Sequence, residues 1–137
     1  MKKNIILAWT LLAILTVGLA APVGAMAEDG IMPLHDYVGA IGAGLSISGS
    51  TAYCSGDVFL NRIPSSLSMT LTLQKKNGDS WDSFASWSDS VIGGTDLEMS
   101  ESCTVSSGTY RVKVSISVCL TNGDYEYISE YSPESTK

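Results

Sequence analysis

The chain has 137 residues, 45% of them hydrophobic and 8% aromatic, and a formal net charge of −6. Fourteen Asp and Glu against eight Lys and Arg repel nucleic acid and anionic membrane surfaces, so neither is an expected partner. The length suits one domain, which at this size buries roughly 60–70% of its unfolded surface.

Lys2 and Lys3 precede an uncharged apolar run from Ile5 to Ala20, and Ala25-Met26-Ala27 offers small residues at the two positions a signal peptidase reads. This pattern predicts a secretory signal peptide over residues 1–27, cut after Ala27. The run is short for a bilayer core needing about 20 apolar residues, so no membrane insertion is expected after cleavage. The product is expected outside the cell. Residues 28–44 carry Pro33 and four glycines without a sustained period, which predicts a flexible lead-in.

From Leu45 the period becomes two. Leu45 and Ile47 alternate with serines, Gly49 interrupts, and Ala52, Cys54 and Val58 resume one parity; a bulge or bend at Gly49 would let both halves face one core. Leu67, Met69, Leu71 and Leu73 then alternate with Ser66, Ser68, Thr70, Thr72 and Gln74. One face of that strand is buried and the other wet. Asn77-Gly78 predicts a type I′ hairpin turn into a strand from Trp81 to Ser88, with Trp81, Ser83, Ala85 and Trp87 on one side. Gly93-Gly94 makes the next turn. Leu97, Met99, Glu101, Cys103 and Val105 share a parity in the strand that follows.

The most regular stretch is "GTYRVKVSISVC", Gly108 to Cys119. Tyr110, Val112, Val114, Ile116 and Val118 point one way, and Arg111, Lys113, Ser115, Ser117 and Cys119 the other. Asn122-Gly123 turns it into a last strand from Tyr125 to Tyr131, and Pro133 ends the regular structure, leaving 133–137 as a tail. No run shows a helical period. Six or seven short strands with frequent turns over residues 45–132 predict an all-β antiparallel sandwich, with a small β-barrel as the alternative.

"GTYRVKV", after a short turn and before an Asn-Gly pair, resembles the penultimate strand of immunoglobulin-like and fibronectin type III domains, where a tyrosine opens the strand and alternate valines fill the core. Tyr110, Val112 and Val114 take those places. The signal peptide, "TAYCSG", "LTLQKKNGDSW", "SWS" and "GTYRVKV" together resemble a family of small secreted proteins of Gram-positive bacteria without assigned function. The resemblance implies a fold and no activity, since sandwiches host many unrelated tasks.

Export makes Cys54, Cys103 and Cys119 disulfide candidates. By parity Cys54 and Cys103 look into the core and Cys119 outward, which predicts a Cys54–Cys103 bridge adding about 4 kcal/mol, with Cys119 free or joined to another chain. The alternative is Cys54–Cys119, the link between sheets familiar from immunoglobulin domains.

Catalytic chemistry has little to stand on. The single histidine, His35, lies in the lead-in, and neither a nucleophile elbow nor a phosphate-cradling glycine loop occurs. Asp57, Asp79, Asp82, Asp89, Asp96 and Asp124 lie in or near turns but lack the alternating spacing of a calcium loop. No cofactor or metal is expected. The aromatic residues are the ligand-face candidates: Trp81 and Trp87 as either core residues or a flat platform, and Tyr125, Tyr127 and Tyr131 on one side of the last strand. The expected function is a secreted, non-catalytic binding or adhesion module for a carbohydrate or protein partner. A small secreted effector, antimicrobial or inhibitory, is the alternative, and an enzyme of unsuspected type the third reading.

Overall fold

The computed structural model describes residues 37–137. The segment expected to be a signal peptide, His35 and most of the expected lead-in lie outside the described residues. Eight strands follow in order: β1 (Val38–Ser48), β2 (Thr51–Leu60), β3 (Ser66–Asn77), β4 (Ser80–Ile92), β5 (Asp96–Thr104), β6 (Thr109–Cys119), β7 (Tyr125–Tyr131) and the short β8 (Ser135–Thr136). One sheet has the order β1-β2-β5; the other runs β4-β3-β6-β7, with β8 also on β6. Every pairing is antiparallel. The sheets pack face to face without closing into a barrel, so the sandwich is the fold.

Alternation builds the core. Leu67, Met69, Leu71 and Leu73 of β3 and Val112, Val114, Ile116 and Val118 of β6 are buried against Ala52, Cys54, Val58 and Leu60 of β2. Gly56 faces the opposite sheet with no room for a side chain: a Cβ there would lie 2.8 Å from Val114 Cγ2 and 3.0 Å from Leu71 Cδ1. Tyr110 opens β6 fully buried, and its hydroxyl donates to the Ser106 carbonyl at 2.9 Å. That closure back onto the preceding turn is the tyrosine corner of immunoglobulin-like sandwiches.

The hairpins differ in detail from the expected ones. Ser48 pairs with Thr51, so Gly49 is the first residue of a two-residue turn rather than a bend within one strand. Asn77 pairs with Ser80, leaving Gly78-Asp79 as the turn. Gly49 and Gly78 have φ of 60° and 65°, and no other residue type among those described has positive φ. Glycine alone at the first central position is the requirement of a type II′ turn, not the I′ expected from Asn-Gly.

Both domain boundaries move outward. Strand β1 begins at Val38 rather than Leu45, and the segment expected to be a tail is tied down. Ser132 is buried, its Oγ accepting from the Val112 amide at 2.8 Å and donating to the Pro133 carbonyl at 2.9 Å. Beyond it Ser135 and Thr136 pair with Tyr110 and Thr109. The open edges carry inward-side carboxylates: Asp82 and Asp89 on β4, Glu101 on β5, Glu126 and Glu130 on β7, each opposite a core-side residue of its neighbour. Charges placed there oppose the addition of a further strand.

Candidate functional site

The strand register sets out the outer face of the larger sheet row by row. The pairing of β3 with β4 skips from Leu73↔Ala85 to Gln74↔Ser83, leaving Phe84 as the extra residue of a bulge. One inserted residue reverses the faces beyond it. Trp81 and Ser83 therefore point outward, whereas Ala85 and Trp87 point inward and pack against the core. Trp81 and Trp87, expected on one side as either core residues or a platform, thus take opposite faces. Trp87 is a core-rim residue, and Phe84 meets Tyr110 edge to face at 5.5 Å.

Trp81 instead joins a row of cations. The Arg111 guanidinium carbon lies 4.2 Å from the Trp81 ring centroid and 4.1 Å from that of Tyr131. The two rings approach from strands on either side of β6. Arg111 Nε donates to Gln74 Oε1 at 2.7 Å. Lys76 Nζ lies 5.9 Å from the Trp81 ring and Lys113 Nζ 5.9 Å from the Tyr131 ring. Ring faces are electron-rich and attract each cation, the guanidinium between its two rings most closely. No carboxylate among the described residues pairs with Arg111, Lys76 or Lys113.

The centre of the face is hydroxyl-bearing. Thr72 Oγ1 and Ser86 Oγ are 3.3 Å apart, Thr70 Oγ1 and Ser88 Oγ 2.9 Å apart. Ser115 and Ser129 continue the second of those rows. A shallow depression of about 390 Å³ lies over Ser68, Met69, Thr70, Ser88, Asp89 and Ser90. At the far end Tyr125 and Tyr127 stack at 5.9 Å and 14°. Tyr125, Tyr127 and Tyr131 are 55%, 72% and 43% exposed, and all three share the outer face, as expected for that strand. The Tyr125 hydroxyl is pushed above its ordinary 10.0, first by its hydrogen bond with Cys119.

The cysteines do not pair as expected: Cys54, Cys103 and Cys119 are all free thiols. Parity is as read, since Cys54 and Cys103 share the core side, but the register is not. Cys54 faces Glu101 and Cys103 faces Ala52. The two are thus diagonal, at the roughly 7–8 Å of such neighbours, beyond the 4.4–6.8 Å Cα separation that disulfides favour. The alternative with Cys119 fails because that residue lies on the outer side of the other sheet, paired with Tyr125. Burial, then Cys103 and Glu101, push the Cys54 thiol up to about 12. Burial raises Cys103 as well. Neither is a ready nucleophile.

A depression of about 520 Å³ lies on the other sheet around Ser46, Tyr53, Ser55, Ser100, Glu101 and Ser102. Its sheet holds no lysine or arginine and carries Asp57, Asp96, Glu98 and Glu101. Its polar lining is mainly hydroxyls, and it has no fixed cation or stacked pair of rings. Volume alone does not make it the stronger site.

No family model matches. No curated protein matches either. Among solved structures the chain is similar to OgpA of Akkermansia muciniphila, at 14% identity over 71% of this chain and 28% of that one, with a TM-score of 0.41. It is also similar to CsgH of R. palustris, at 13% identity over 67% and 86% of the two chains and a TM-score of 0.36. The E. coli curli protein CsgC gives 12% identity, 66% and 94%, and 0.36. The chain spans less than a third of the length of OgpA. Likenesses this distant bear on no function.

Proposed function

We propose that the chain is a secreted, non-catalytic binding module whose ligand lies across the outer face of the larger sheet. The observation that carries this reading is the run Lys76, Trp81, Arg111, Tyr131 and Lys113 at one end of a face that ends in the exposed Tyr125–Tyr127 stack. Rings supply apolar area with few rotatable bonds, and the hydroxyl rows between them offer hydrogen bonds, a combination suited to recognition. The thiols nearest to a nucleophile are held protonated, which favours binding over catalysis.

The test is a glycan and peptide array probed with wild-type protein, Tyr127→Ala, Trp81→Ala and, on the other sheet, Tyr53→Ala. Loss of a specific signal in the first two variants and its retention in the third is the expected result. Retention in Tyr127→Ala and Trp81→Ala with loss in Tyr53→Ala would move the site to the other sheet. Arrest of neighbouring bacterial strains by purified protein, unchanged by either face variant, would favour the effector reading instead.

A further inference from the structure

Resting on that reading, we infer that the ligand is an acidic polysaccharide, one whose sugar rings carry carboxylates, and that Arg111 is the residue that reads them. The charge distribution selects the sign. In a chain of net charge −6, Lys76, Arg111 and Lys113 lie on the outer side of β3 and β6, while the opposite sheet has only acidic charges. The carboxylates of β4 and β7 take the inward parity, although Asp89 also borders the hydroxyl-lined depression, and none pairs with Arg111.

The geometry selects the chemical group. A guanidinium has five N–H donors in a planar fork. At Arg111 one is spent on Gln74, two rings hold the group from its flanks, and no carboxylate neutralises it. A guanidinium fixed in this way loses little side-chain entropy on binding and presents its terminal nitrogens to a planar bidentate acceptor, which a carboxylate is. Lys113 adds a second positive charge one row further along the sheet.

The far end selects the polymer. Tyr127 lies four residues from Tyr131 on the same strand, about 13 Å at roughly 3.3 Å per residue. A ligand that meets both ends must bridge the serine and threonine rows between them. A chain of hydroxyl-rich rings bearing periodic carboxylates matches all three zones: acid to the fork, hydroxyls to the Ser/Thr rows, C–H faces to the tyrosines. A small anion would use the fork alone and leave the tyrosines unengaged.

The experiment compares polygalacturonate with its methyl ester, the same polymer with its charge removed, by titration calorimetry at two salt concentrations. Wild-type protein is expected to bind the acid form, to lose it as salt rises, and to bind the ester at least about tenfold more weakly. Arg111→Lys, which keeps the charge but not the fork or the stacking, is expected to weaken binding about tenfold or more. The double variant Lys76→Gln with Lys113→Gln provides a second reading should Arg111→Lys not fold. Equal binding of acid and ester, with Tyr127→Ala still disruptive, would overturn this inference and leave the binding face standing. Uronate binding indifferent to Arg111 and to both lysines would overturn it as well. So would concentration-dependent growth in sedimenting mass that Arg111→Lys abolishes, since a second copy, acidic sheet on cationic sheet, would then be the occupant.

Discussion

Gly56 of β2 faces Val114 of β6 across the core with no room for a side chain: a Cβ on the glycine would come within 2.8 Å of the valine's Cγ2. Met69 Sδ, at 3.2 Å, closes a third side. Gly56→Ala therefore forces the sheets apart or the side chains off their rotamers. A loss of about 1–3 kcal/mol in urea unfolding is expected. A neutral substitution would mean that the core at this point is looser than described.

The Tyr110 hydroxyl is committed to the Ser106 carbonyl. Tyr110→Phe keeps the ring and its edge contact with Phe84 but leaves a carbonyl without its donor. The expected cost is about 1 kcal/mol, or a fall of about 4–8 °C in Tm for a domain of this size. An unchanged Tm would show that the turn before β6 is held by other bonds.

Trp81 and Arg111 form a pair whose strength a double-mutant cycle isolates. Trp81→Ala, Arg111→Gln and the double variant, compared by thermal unfolding, are expected to show a coupling of about 0.5–1 kcal/mol, the range for cation–π contacts at exposed sites. Additive effects would mean that the ring does not hold the guanidinium.

The thiols give a pH prediction whose sign follows from burial. Cys54 holds its proton up to about 12 in the folded chain against an ordinary 9.0. The folded state thus binds this proton more tightly than the unfolded one. Its contribution is complete below pH 9 and drains away as pH climbs toward 12. Urea midpoints measured across that window are expected to fall less steeply in Cys54→Val than in wild type; parallel slopes would refute the shift. Native protein at pH 8 is expected to leave Cys54 unlabelled by iodoacetamide, and denatured protein to yield all three thiols.

The sandwich was legible because Leu67–Leu73 and Tyr110–Val118 alternate without a break, and alternation survives any choice of partner strand. What failed to show were events that composition does not mark. Phe84 enters β4 between Ser83 and Ala85 with nothing to flag it as extra, yet it carries Trp81 to the outer face and Trp87 to the inner. The first part of strand β1, Val38 to Gly44, read as flexible because of its glycines. Those glycines leave room for their cross-strand neighbours: a Cβ at Gly42 or Gly44 would come within 2.5 Å of the Asp57 carboxylate or the Ser55 hydroxyl, which would have to swing aside. The cysteines had the right faces and the wrong register, since parity says which side a residue takes and not whom it opposes. Arg111 and Lys113 were placed correctly on the wet side, but their partners Trp81 and Tyr131 come from other strands, which no local pattern reveals.

The most direct test of the binding face is a nitrogen-15 amide titration of the labelled protein with oligogalacturonate. Shifts confined to the cationic and tyrosine rows, including the Arg111 and Tyr127 amides and the Trp81 indole N–H, are the expected result. Shifts centred on Ser46, Tyr53, Ser55 and Ser100 of the opposite sheet, with Arg111 and Tyr127 unmoved, would contradict it.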